Sequence, residues 1–102
     1  MAGTKKKPTK KTVKPGKEIV ESMVEEFRGK LIKIINQEIK ELIIDMKNVG
    51  EIDSTGVGVL IAAKNSLDQA GSQLNLTNIP ENIESHLQIL GLDRFFNLGA
   101  AR

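Results

Sequence analysis

Glu41-Leu42-Ile43-Ile44-Asp45-Met46, a short polar connection, and then Ile52-Asp53-Ser54-Thr55-Gly56-Val57-Gly58-Val59-Leu60 form the stretch that decides the fold. The apolar run 42–46 is too short for a stable helix, and its paired Ile residues favour a strand. With no polar alternation in its middle, it reads as a strand buried on both faces, in a sheet with helical cover. Val49 and Ile52 carry the apolar signal up to Asp53. From about Ser54 to Ala70, the residues Val57, Leu60, Ile61, Lys64 and Leu67 recur at helical spacing, with Lys64 as the interruption. Ala62 and Ala63 allow close packing against a sheet, and Gly71 suits a C-terminal cap. Strand, turn and helix in this order are the repeating unit of an α/β layer.

The flanks extend the same pattern. Thr12-Val13-Lys14 and Ile19-Val20 are short β-prone pieces around Pro15-Gly16, a turn signal. An amphipathic helix is expected over Ser22 to Asn36, with Ser22 and Glu25 at the spacing of a capping box. Its apolar face is Met23, Phe27, Leu31, Ile34 and Ile35. Gln73 to Asn78 alternates polar and apolar residues, the period of a half-buried strand. Pro80 fits the first turn of a third helix with the face Ile83, Leu87 and Leu90, and Gly91 should end it. Leu92 to Leu98, with Phe95 and Phe96, is a closing segment expected to pack back on the body. Alternation of this kind predicts right-handed crossovers, with helices covering at least one face of the sheet.

At 102 residues the chain holds one domain at most, because two separate cores would each be too small. It contains three Phe and no Trp or Tyr, so the core must be built from Ile, Leu and Val. Cysteine is absent, which excludes a disulfide framework and a thiolate metal site. No apolar run approaches the roughly 20 residues that span a bilayer, and the basic N-terminus lacks the apolar stretch of a secretory signal. The expectation is a cytoplasmic protein without membrane insertion.

The net charge of +2 conceals an asymmetry. Residues 1–17 carry seven Lys and no acid, which leaves eight basic and thirteen acidic side chains in residues 18–102. A Lys-rich segment can attract nucleic acid or an anionic surface. Here residues 1–11 read instead as a flexible, solvated tail ahead of a domain over 12–102. The acidic body argues against a nucleic-acid groove, so no direct nucleic-acid partner is expected.

Asp53 and Ser54 both suit an N-cap, since their side-chain oxygens can accept the free N–H groups of a first helical turn. Capping does not account for Gly56 and Gly58. Each costs about 1 kcal/mol relative to Ala inside a helix, which suggests close approach of backbone, within the fold or by a partner. A dinucleotide fingerprint fails, because its third glycine would fall at Ile61, and a P-loop fails for want of Gly-Lys-Ser/Thr. Nucleophilic catalysis by Ser54 would need a base, and the single histidine, His86, sits at the edge of the third helix's apolar face. No His pair stands at metal-ligand spacing. No enzyme, metal site or cofactor is expected. Phosphorylation does suit the site: a phosphoserine at a helix N-terminus meets free N–H donors and the positive end of the dipole.

At these residues the chain resembles the bacterial anti-sigma factor antagonists of the STAS domain family. The resemblance rests on Leu42 to Met46 followed by Asp53-Ser54-Thr55-Gly56-Val57-Gly58, on Ala70-Gly71-Ser72 before Leu74-Asn75-Leu76, and on Leu90-Gly91-Leu92 with Phe95-Phe96. It spans roughly residues 12–98 and implies a single α/β domain whose mixed central sheet of about four strands is covered by helices. It also implies a partner switch. Unphosphorylated protein would bind an anti-sigma factor that is also a serine protein kinase, and so free a sigma factor. Phosphorylation of Ser54 would end the complex, and a phosphatase would reset it. By the same matching Asp53, Thr55, Gly56 and Gly58 would lie at the partner contact, and ATP would belong to the kinase. The alternative is a STAS scaffold module in a signalling or transport assembly, not phosphorylated.

Overall fold

The computed structural model describes residues 10–98. Eight elements follow in chain order: β1 (Lys10–Val13), β2 (Glu18–Ile19), α1 (Glu21–Ile35), β3 (Glu41–Asp45), β4 (Glu51–Ile52), α2 (Ser54–Gln69), β5 (Gln73–Thr77) and α3 (Glu81–Ile89). β3 is the centre of a three-stranded sheet ordered β1-β3-β5, while β2 pairs with β4 separately. Val13 lies opposite Ile44, and Ile44 opposite Leu76.

Every pairing among the described residues is parallel, where the family resemblance implies a mixed sheet. The reason lies in the connections. Each chain return between paired strands includes a helix, which brings the chain back to the end from which it started. β1 and β2, though separated by four residues, make no hairpin. They run on beside β3 and β4, and both tracks are interrupted side by side: the Gly50 N–H donates to the Lys17 carbonyl at 2.7 Å across the two breaks.

Most of the expected tail lies outside the described residues. Lys10 and Lys11 do not: they form the start of β1, opposite Glu41 and Leu42, with Lys10 Nζ 3.9 Å from a Glu41 carboxylate oxygen. The strand therefore begins two residues ahead of the expected domain boundary.

Only one face of the main sheet is sealed. Leu42 and Ile44 are fully buried, but the residues between and beside them, Glu41, Ile43 and Asp45, are half-buried. β3 is thus not covered on both faces, because α1 and α2 pack against each other and close the same core. The other face carries a polar ladder instead: Asn75 Nδ2 donates to Glu41 at 2.6 Å and Asn78 Nδ2 donates to Asp45 at 3.1 Å.

The helices depart from expectation in their details. α1 begins one residue early, at Glu21 after Val20, and Ser22 supplies no cap. Its buried stripe is Val24, Phe27, Leu31 and Ile34, so Met23 is left exposed. Only the start of the stripe changes, Val24 taking the inward place expected of Met23, while Phe27, Leu31 and Ile34 are buried as expected. α2 ends at Gln69 with Ala70 as its C-cap, followed by Gly71 at φ +75, the left-handed conformation that glycine allows at low cost. Lys64 is partly covered, ion-paired to Asp68 at 3.0 Å, with its ammonium 5.3 Å from the Phe95 ring centroid. Pro80 is the N-cap of α3 rather than part of its first turn, and Leu90 is half exposed at the helix end. The closing segment buries Phe96 and Leu98.

The core is aliphatic, with Leu42, Ile44, Leu60, Leu67 and Leu87 among its most buried members. Leu60→Ala should cost about 2–5 kcal/mol in urea denaturation, because it opens a cavity beneath α2. Ile89→Ser, at a side chain 85% exposed, should change stability by no more than about 0.5 kcal/mol.

Candidate functional site

β4 ends at the buried Ile52, and the chain turns at Asp53 into α2. Asp53 is the N-cap: its carbonyl accepts the Val57 N–H at 2.9 Å and its Oδ1 accepts the Gly56 N–H at 2.9 Å. The second carboxylate oxygen, Oδ2, accepts the Glu21 N–H at 2.9 Å, the first amide of α1. One side chain therefore caps two helices. The two N–H groups, Gly56 first and then Glu21, hold the Asp53 carboxyl below its ordinary value of 3.8.

With Asp53 as the cap, Ser54 is the first residue of α2 and is exposed, as is Thr55. The two glycines behave differently. A Cβ on Gly56 would collide with the Ile19 carbonyl oxygen and stand 2.9 Å from both the Ile19 carbonyl carbon and Cγ2, so this glycine answers a close approach within the fold. Gly58 is exposed, and a Cβ there would meet nothing within 4 Å. Of the predicted site residues, the structure brings Asp53, Ser54, Thr55 and Gly58 to one accessible edge and buries Gly56 beneath them.

Sequence reasoning missed the surface next to this turn. A groove of about 590 Å³ runs between α1 and α2, with Ile32 and Ile35 on one wall and Thr55, Gly58 and Ala62 on the other. Its signal was the recurrence of small residues every four positions, Gly58, Ala62 and Ser66. Ala62 and Ala63 both read as sheet-facing, yet only Ala63 is buried. His86 is exposed in the last turn of α3. Among the described residues, no cluster of three His, Cys, Asp or Glu side chains could hold a metal ion, and no helix is long and apolar enough to cross a membrane.

The sequence model of the STAS domain family matches residues 3–101. No curated protein sequence matches the chain. Among solved structures, a sulfate transporter family protein from Wolinella succinogenes superposes with a TM-score of 0.76 at 21% identity, covering 94% of this chain and 79% of that one. The phosphorylated form of SpoIIAA, a Bacillus cell fate determinant, gives 0.68 at 21% identity over 88% of this chain and 83% of that one. Murine Slc26a9, an anion transporter, gives 0.75 at 23% identity over 85% of this chain but only 14% of its own length. At these identities the structural likenesses establish the fold.

Two measurements check the geometry of the turn. Gly56→Ala should destabilise the protein by about 3 kcal/mol or more, since backbone must move, whereas Gly58→Ala should stabilise it by up to about 1 kcal/mol. The depressed Asp53 pKa sets a pH signature. Its contribution is complete above the unfolded value and is lost as pH falls through the lower folded one. The stability gap between wild type and Asp53→Asn should accordingly be constant above about pH 5 and close as pH drops below 3.8.

Proposed function

Because the chain belongs to the STAS domain family, we propose that it is an anti-sigma factor antagonist, a partner-switching regulator of transcription controlled at Ser54. The observation that carries this reading is the exposed position of Ser54 as first residue of a helix already capped by Asp53. Its hydroxyl is not needed for capping and is accessible to a kinase. A phosphoryl group there would carry nearly two negative charges, which the N-terminus of α2 tolerates and a docked partner surface would not.

In this reading the unphosphorylated protein binds an anti-sigma factor that is also a serine protein kinase. That kinase supplies ATP and catalysis, a phosphatase reverses the modification, and the chain itself is a cytoplasmic substrate rather than an enzyme. Thr55 and Gly58 would touch the partner, and Asp53 would shape the edge they share. Gly56 contributes from below by letting α2 sit against β2. Solved SpoIIAA structures, one described as an anti-sigma factor antagonist in its unphosphorylated form, support the reading at the level of fold (TM-score 0.65, 22% identity).

A second reading is a scaffold module that is not phosphorylated. It is favoured by the TM-scores of 0.76 and 0.75 with the two transporter-related structures, somewhat above those with SpoIIAA. Incubation with candidate anti-sigma kinases and ATP separates the two. The switch predicts one phosphate per chain, lost in Ser54→Ala, and a weaker kinase complex for Ser54→Asp. Equal labelling of Ser54→Ala would refute the site, and a stable partner complex indifferent to ATP would favour the scaffold.

A further inference from the structure

We propose that Asp53 makes helix α1 sensitive to charge on Ser54, so that modification at the start of α2 loosens the start of α1. The inference rests on the reading of Ser54 as the modified residue. Its physical basis is the shared cap: Oδ1 holds the Gly56 N–H of α2 and Oδ2 holds the Glu21 N–H of α1, each at 2.9 Å. No side chain of α1's own N-cap residue, Val20, serves its first turn.

A phosphoryl group on Ser54 competes for the Gly56 N–H that the Asp53 side chain now serves, and it is the stronger acceptor. It also stands one residue from the Asp53 carboxylate, whose Oδ2 holds the backbone N–H of Glu21, the first residue of α1. Repulsion and competition act in one direction, moving the carboxylate off Gly56 and with it off Glu21. The result is unequal for the two helices. α2 exchanges one anionic cap for another, while α1 loses its cap and receives none. The backbone beneath is unaffected, because Gly56 remains packed on Ile19 and the Asp53 N–H still donates to the Ile19 carbonyl at 3.3 Å. Val24, in the freed turn of α1, and Glu25 just after it face Thr55 and Gly58 across the groove. Charge at Ser54 thus reaches the wall opposite the one that carries it.

The experiment installs phosphoserine at position 54 during translation, so that no kinase is involved, and follows single amides by NMR. In the wild-type background, phosphoserine should speed exchange of the Glu21 amide about fivefold, the effect of losing one helix cap, and remove the downfield shift that a carboxylate acceptor gives its proton. The amides of Thr55 to Val57 should not speed up. Asp53→Ala should reproduce the Glu21 effect without phosphate, and phosphoserine should add nothing further in that background. Should Asp53→Ala fail to fold, Asp53→Asn, which keeps one acceptor oxygen, takes its place in the cycle. An unchanged Glu21 amide in the phosphorylated wild type overturns the coupling, as does an equal effect of phosphate with and without Asp53. A kinase that ignores Ser54 would sink the proposed switch yet leave this measurement intact, so the two ideas fail separately.

Discussion

The seat of α2 on the end of β2 is the constraint from which the rest of the site follows. Gly56 packs so closely on the Ile19 carbonyl that no side chain can stand between them. That contact fixes where α2 begins relative to the short β2–β4 pair. It sets Asp53 at a point from which one carboxylate reaches the first turns of both helices. Ser54 is exposed because Gly56, two residues later on the helix, is turned inward. Accessibility at one residue is thus a by-product of contact at another.

The sheet is built with the same economy. Its sealed face uses Leu42, Ile44 and Leu74 against α1 and α2, and its open face is held by Glu41, Asp45, Asn75 and Asn78. A single layer of helices suffices because the polar face satisfies its own side chains, and among the described residues no buried side-chain polar atom lacks a partner. This arrangement is compatible with a small, mainly aliphatic core that uses Phe27 and Phe96 but neither Trp nor Tyr.

Much of this was legible in the sequence, and the failures have identifiable causes. α2 was readable almost to the residue, since Asp53 and Gly71 are strong signals at its two ends and Leu60 and Leu67 repeat cleanly between them. α1 was readable as a helix, but not its start. Its cap comes from Asp53, thirty-two positions away, and no local pattern such as Ser22 with Glu25 can report that. The sheet's one-sided burial was hidden because Ile43 continues the apolar run although it faces the open side. The parallel pairing of β2 with β4 was hidden because two residues carry no period. At the site, capping physics identified Asp53 and the turn, while the distinction between Gly56 and Gly58 required knowing what lies above each of them. The family resemblance pointed to Ser54, but the adjoining groove depends on how α1 and α2 pack and had only small residues to announce it.

The order β1-β3-β5 also bears on how the domain assembles as it is synthesised. The central strand comes from the middle of the chain, and its first neighbour, β1, has already been made when β3 emerges. β1, α1 and β3 can therefore close into a parallel unit before β5 exists, with the edge of β3 open until Leu74 arrives to cover it. Each pairing spans a helix, so none is available to a local hairpin, and chain closure over some thirty residues must precede every ladder. The turn at Asp53 falls between these two closures. Its two caps join a helix from the first half to one from the second, which makes this carboxylate a seam between the parts of the domain that form early and late.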